Sequence, residues 1–477
     1  MGRAPAARPN IVYVMADDHA AHAIGAYGSR INRTPHIDRL ADGGMRLDAC
    51  FCTNSLCSPS RATILTGTYS HVNGVTGLDT PFDARQPTFP ALLRDAGYQT
   101  ALIGKWHLGH GGIHDPRGFD TWTVLPDQGR YHDPEFLEPD GRMVVRPGYV
   151  TTVLTDLSLD WIRERDRSRP FLLMLTHKAP HRAWEPDERF AHLYDGTDIP
   201  EPPTLRDDYA TRSSAALDAR MRIDRDLNPE DLKALVPPGL TDDEELAWKY
   251  QRYIKDYLRC VASIDDELGR LLDLLDDEGL TEDTVVVYTS DQGFFLGDHG
   301  WYDKRFMYEE SLRMPLLFRY PREMAPGSSS KAMVLNLDFA QTFLDYAGVS
   351  APPRMQGRSL RPLLRGEPVR GWRSAMYYRY WMHRDSIHNV PAHLGVRTSD
   401  HKLVCYQTDV EPDGEEWELF DLVADPFELH NRYAEPAAAD LVRRLKARLA
   451  VLREEVGDVP ESAAAAVTDE PRTERSA

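Results

Sequence analysis

The chain has 477 residues, 42% apolar and 27% charged, a length that suggests roughly two to four domains and a composition that supports a sizeable core. A formal charge of −19 argues against nucleic acid or an anionic membrane surface as the main partner, but leaves room for a local basic site that takes a small anion. The five cysteines are odd in number and lack metal-ribbon spacing, so neither a disulfide framework nor a structural zinc site is expected.

The first residues, MGRAPAARPN, lead into IVYVMADD, whose apolar run is too short for a signal core and ends in two aspartates. No run of about 18 apolar residues follows, which makes a soluble, cytoplasmic protein the expectation. Short apolar runs at 11–16, 100–104, 171–175, 285–289 and 315–319 barely alternate, as expected for parallel strands covered on both faces. Helical patterns lie between them, at 36–44, 89–98 and, longest, about 242–277, where Thr241 and Glu244 fit a capping box. This alternation implies an α/β sandwich around a large, mostly parallel sheet. Residues 206–240 are polar and irregular and read as a surface excursion. From about 371 the texture changes to shorter runs joined by turns, such as DGEE at 413–416, and a helix at 437–456. These predict a smaller C-terminal subdomain (371–457) with an antiparallel sheet, after a main domain (1–370). A tail from 458 has no period and is expected to be disordered.

Four of the predicted strands finish on polar residues: Asp17-Asp18-His19, Lys105-Trp106-His107, His177-Lys178-Ala179-Pro180-His181 and Asp291-Gln292. Sites in open α/β sheets form at these carboxyl ends. One Asp pair after a strand serves most often as a turn or cap, and a lone His or Lys is usually solvated. Four such ends together are harder to explain by turn chemistry, which favours Gly, Asn and Ser. Three carboxylates and an amide oxygen suit a hard divalent cation, Ca²⁺ or Mg²⁺.

The stretch CSPSRATILTG at 57–67 spends a rare cysteine at a predicted helix start, with Ser58 as N-cap, Pro59 at the first helical position and Gly67 as the stop. Cys57 would stand at the positive end of the helix, where a thiol is activated, and Arg61 one turn on could neutralise an anion. Read alone, this segment fits a structural thiol about as well.

Taken together, Cys57-Ser58-Pro59-Ser60-Arg61, PNIVYVMADD, GKWHLG, KAPHRAWEP and TSDQGFFLGDHGWYDKRFMYEESLRMPLLFRYP resemble, in order, the motifs of the type I sulfatases of the alkaline-phosphatase-like superfamily, including bacterial N-acetylglucosamine-6-sulfatase-like enzymes. The resemblance implies that Cys57 is converted to Cα-formylglycine by a maturation enzyme that reads C-x-P-x-R. Hydrated, this residue offers one hydroxyl to attack sulfur and a second whose deprotonation expels sulfate. It also implies a Ca²⁺ ion (Mg²⁺ or Mn²⁺ as alternatives) on Asp17, Asp18, Asp291 and Gln292, with residue 57 completing the shell. Arg61 would hold that region, and Lys105 and Lys304 would bind sulfate oxygens. His107 would serve as base in the elimination, and His181 would protonate the leaving oxygen, with His177 ranked second. Many members carry Asn where this chain has Gln292, whose reach is one methylene longer. His393 and Arg397 are candidates for binding a sulfated sugar, or for stabilising the subdomain interface. A second metal at Asp298-His299 ranks below a loop role. The alternatives are a phosphonate monoester or phosphodiester hydrolase of the same fold, and an inactive sugar-binding homologue.

Overall fold

The computed structural model describes residues 8–408 and 414–458. Ten strands form its main sheet: β1 (Asn10–Ala16), β2 (Met45–Leu47), β3 (Gln99–Lys105), β4 (Thr121–Leu125), β5 (Glu135–Leu137), β6 (Met143–Val145), β7 (Phe171–Thr176), β8 (Thr284–Ser290), β9 (Leu316–Arg319) and β10 (Ser328–Ser330). Their spatial order is β10-β2-β9-β8-β1-β7-β3-β4-β5-β6, and the central block β8-β1-β7-β3-β4 is parallel throughout. The runs at 11–16, 100–104, 171–175 and 285–289 form β1, β3, β7 and β8. The run at 315–319 corrects the expectation: β9 pairs antiparallel with β8 and with β2. All its residues are buried. A strand covered on both faces has the same composition in either direction.

Alternation along β1 sets the layers. Ile11, Tyr13 and Met15 enter one apolar layer, while Val12, Val14 and Ala16 enter the other. Helices α1 (Pro35–Asp42), α4 (Val150–Glu164) and α5 (Asp242–Asp277) cover the second face through Ile37, Leu154 and Ile254. Helices α2 (Cys57–Thr66), α3 (Phe89–Asp95) and α6 (Asp338–Ala347) cover the first through Ile64, Phe89 and Phe343. The result is the expected α/β/α sandwich. The start of α5 is fixed locally, because Thr241 and Glu244 form the full capping box and four acidic residues occupy its first turn.

Beyond residue 371, strands β11 (Ala375–Tyr380), β12 (His393–Thr398), β13 (His401–Gln407) and β14 (Glu415–Asp421) form an antiparallel sheet in chain order, followed by α7 (Ala439–Val456). Its apolar side chains, among them Tyr377, Val396, Leu403 and Leu449, belong to the same core as the first face of the main sheet. The segment 206–240 is pinned rather than free: Met221 and Ile223 are buried, and the Ser213 hydroxyl donates to the buried Glu418 at 2.9 Å. The turn at 413–416 falls partly, and the tail from 459 wholly, outside the described residues. Among the described residues no helix is long and apolar enough to cross a membrane.

Candidate active site

Because β8, β1, β7 and β3 are parallel neighbours, their carboxyl ends open on one edge of the sheet. Asp17 and Asp18 leave β1 there, and Asp18 adopts a positive φ of 71°. The Asp18 N–H donates to Asp291 Oδ1 at 3.2 Å, and Asp291 N–H donates to the last carbonyl of β1 at 3.2 Å. Asp17, Asp18 and Asp291 are fully buried, and one oxygen from each lies within 4.8 Å of the others. Gln292 donates its amide N–H to Asp18, while its Oε1 is buried with no partner among the described residues. Two glycines make the approach feasible. A Cβ on Gly104, just before Lys105, would stand 1.9 Å from the Thr176 carbonyl, and one on Gly293 would stand 2.1 Å from that of Glu310.

Burial dominates the electrostatics. It lifts Asp18 to about 7 against the pull of Lys304, with Asp17 and Asp291 adding to the rise. Burial and then the Asp17 charge raise Asp291 to about 6. Asp17 goes the other way: burial raises it, but Lys105, His181, Arg61 and Lys304 together hold it well below the usual range. Three buried carboxylates that resist joint ionisation, beside an orphaned amide oxygen, are a donor set fitted to a hard divalent cation.

Helix α2 brings Cys57 to this cluster, its Sγ 3.3 Å from Asp17 Oδ1 and 3.9 Å from Gln292 Nε2. The helix starts two residues earlier than expected. Leu56 is its N-cap, and the Ser58 hydroxyl donates to the His107 carbonyl at 2.8 Å instead of capping. Gly67 closes the helix at φ 61°, as expected. Activation of the thiol is also corrected, since burial, followed by the Asp17 carboxylate, pushes Cys57 up. A helix terminus contributes about 0.3–1 kcal/mol, less than the several kcal/mol lost in desolvating a charge.

Cations complete the site. Arg61 donates to Asp291 Oδ2 from Nε at 3.1 Å and Nη2 at 2.9 Å, and to the Lys105 carbonyl at 2.7 Å. Lys105 bonds Asp17, and Lys304 reaches both oxygens of Asp18 at 2.7 Å. His181 Nε2 lies 3.8 Å from Asp18, and its Nδ1 is 2.7 Å from the Arg182 carbonyl, so Nε2 is the atom left facing the site. Burial and then Lys105 hold both His107 and His181 well below the usual imidazole range.

Comparison with known proteins gives the family. The family model described as "Sulfatase" matches residues 9–349, and "N-sulphoglucosamine sulphohydrolase, C-terminal" matches 297–455. The chain belongs to the sulfatase family. This sulfatase is 42% identical to an N-acetylglucosamine-6-O-sulfatase of Bacteroides thetaiotaomicron over 94% of its own length and 86% of the relative's. It superposes on BT4656, solved in complex with its substrate D-glucosamine-2-N,6-O-disulfate, with a TM-score of 0.89 at 42% identity, covering 94% of this chain and 98% of that one. A phosphonate monoester hydrolase of Agrobacterium radiobacter shares the fold at 22% identity, with a TM-score of 0.75 and coverage of 94% and 96%. The sulfatase is an enzyme with the alkaline-phosphatase-like fold.

Not every predicted residue of the sulfatase joins the cluster. His177 is buried at the end of β7, where burial alone lowers it to about 3 and no charged group contributes. His393 stacks with Tyr378 and Tyr380 at 5.6 and 5.1 Å in the C-terminal sheet. Arg397 is committed to a two-pronged pair with Glu309 at 2.9 Å and lies 4.3 Å from the Phe51 ring. Neither reaches the cluster: His393 packs within the C-terminal sheet and against Phe306, and Arg397 ties that sheet to Glu309 of the main domain. Asp298 pairs with His22 at 3.2 Å and His299 with Asp207 at 2.8 Å.

Two features were missed. Gln128 accepts from Lys105 and sets its amide nitrogen 3.2 Å from His107 Nε2, bridging two site residues. It follows β4, whose half-exposed start hid it from a search for continuous apolar runs. Had TWTVL been read as a strand, its carboxyl end would have pointed to Gln128. We expect Gln128→Ala to lower kcat/KM about 10- to 100-fold, the cost of a lost hydrogen bond to a charged group, with no change in melting temperature beyond a few degrees. The second feature flanks Lys304. Asp303 and Arg305 have positive φ, and Arg305 lies 3.2 Å from both Tyr380 Oη and His388 Nε2.

Proposed function

We propose that this enzyme hydrolyses the 6-O-sulfate of a glucosamine-type sugar, using a formylglycine made from Cys57 and a divalent cation, with Ca²⁺ as first choice, held by Asp17, Asp18, Asp291 and Gln292. The observation that carries the reading is Cys57 Sγ, 3.3 Å from Asp17 within a buried carboxylate cluster faced by Lys105 and Lys304. The choice of sugar rests on the 42% identity to an N-acetylglucosamine-6-O-sulfatase. The cation would supply Lewis acidity, and a hydrated formylglycine would supply a nucleophilic hydroxyl and a second one for release of sulfate.

The chain's own groups have distinct tasks. Lys105 and Lys304 place ammonium charge against the sulfate oxygens. His181, fixed through Nδ1, delivers a proton from Nε2 to the departing sugar oxygen in the imidazolium form that the bound anionic ester favours, and His107, steered by Gln128, takes a proton during sulfate release. Asp303, Arg305 and His388 offer donors and acceptors beside Lys304 to sugar hydroxyls. Cys57, Ser58, Ser60 and Arg61 are no more than 3% exposed and Pro59 is buried, so a maturation enzyme must act on this segment before the chain folds.

The test compares initial rates on N-acetylglucosamine-6-sulfate, an aryl sulfate and the matched aryl phosphate and phosphonate, with formylglycine-bearing protein. The sugar sulfate should give the highest kcat/KM. A strong preference for the phosphate or phosphonate ester would overturn the reading in favour of the rival chemistry. No turnover of any ester would favour a binding homologue.

A further inference from the structure

Lys178 lies on the turn between β7 and His181 and is 4% exposed. Its Nζ stands 4.7 Å from the centre of the Tyr131 ring. The Tyr131 hydroxyl donates to the His181 carbonyl, and the His181 N–H donates to the Lys178 carbonyl at 3.0 Å. Ring, ammonium and imidazole are thus tied into one unit at the edge of the site.

The neighbouring cations all have carboxylates. Arg61 pairs with Asp291, Lys105 with Asp17 and Lys304 with Asp18. Among the described residues Lys178 has neither an ion pair nor a hydrogen-bond acceptor for its ammonium; Tyr131 offers its face, and the Asp17 and Glu185 carboxylates act on it only at longer range. Removing an ammonium from water without a counter-charge costs more than a ring contact returns. Burial and then Lys105 pull this amine to about 8, which leaves it mainly protonated at neutral pH. An unpaired buried cation of this kind, beside a site built for an anion, can take its counter-ion from the ligand.

We propose that Lys178 is a further substrate-binding residue of the site, whose counter-ion is the substrate's sulfate group. The inference rests on the sulfate-ester reading above. Lys178→Met keeps the length of the side chain and removes the charge. Two measurements are decisive: kcat and KM on a sulfate ester, and calorimetric binding of inorganic sulfate in a Cys57→Ala background. Loss of one charged contact should weaken sulfate binding and kcat/KM by about tenfold or more. The melting temperature should rise, because an uncompensated buried charge has gone, whereas loss of a structural lysine would lower it. Sulfate affinity and kcat/KM within twofold of the parent would overturn the proposal. Lys178→Gln is the second variant, and failure of both to fold would assign Lys178 a structural role and equally overturn it. If the parent protein neither binds sulfate nor cleaves a sulfate ester, the broader reading falls instead.

Discussion

Replacing Cys57 by alanine should lower turnover of a sulfate ester by at least about 10⁴-fold, because the change removes the atom on which covalent chemistry is built and not merely a contact. The fold should survive. Cys57 is 1% exposed, but the substitution deletes only one heavy atom from the start of α2 and leaves the bond from Ser58 to the His107 carbonyl intact. A stability loss of about 1 kcal/mol is expected. Cys57→Ser makes the complementary point: a single hydroxyl could accept sulfate but has no second hydroxyl to expel it, so at most one turnover per molecule is expected. Mass spectrometry of the tryptic peptide spanning 47–61 should show formylglycine at position 57 in active preparations. Full activity with unmodified cysteine, or near-normal turnover by the alanine variant, would refute the chemistry.

The second large effect concerns the carboxylates. Chelation should abolish activity and lower the melting temperature, and Ca²⁺ or Mg²⁺ should restore both. At a cation concentration 100 times its dissociation constant the gain is about 2.7 kcal/mol. The sign of the pH dependence follows from the raised values of Asp18, about 7, and Asp291, about 6. Without the ion, these groups stabilise the fold in their protonated forms, and that contribution fades as pH rises through 6 and 7. Protons therefore compete with the cation, and the rise in melting temperature on adding it should be larger at pH 8 than at pH 5. Asp291→Ala should remove the cation-dependent shift and also release Arg61 from its partner, with an activity loss well beyond the roughly 10- to 100-fold of an outer-shell change. An unchanged shift in that variant would place the cation elsewhere.

Much of this was legible in the linear chain, for local reasons. β1, β3, β7 and β8 are buried on both faces and so read as apolar runs. The long helix α5 was bounded at Thr241 because a capping box is a contact between residues three apart. Polar groups at four strand ends located the site because parallel strands present their carboxyl ends on one edge. Other features were hidden because they depend on distant partners. The direction of β9 is set by its neighbours, and Ser58 looked like a cap until His107 supplied a better acceptor. Arg397 fitted either a sugar or the subdomain interface, and its partner Glu309 lies 88 residues away in the chain.

By itself, then, the sequence determined which chemical groups are present and that β1, β3, β7 and β8 deliver them to one edge of a sheet, since apolar patterning and capping are short-range. Only the tertiary structure decided who faces whom. It set Asp18 against Asp291 across 273 residues, and it left Gln292 Oε1 without a partner. It also gave every cation of the cluster a carboxylate except Lys178. Pairing and desolvation are properties of enclosed space, and they exist only once the chain has closed around them.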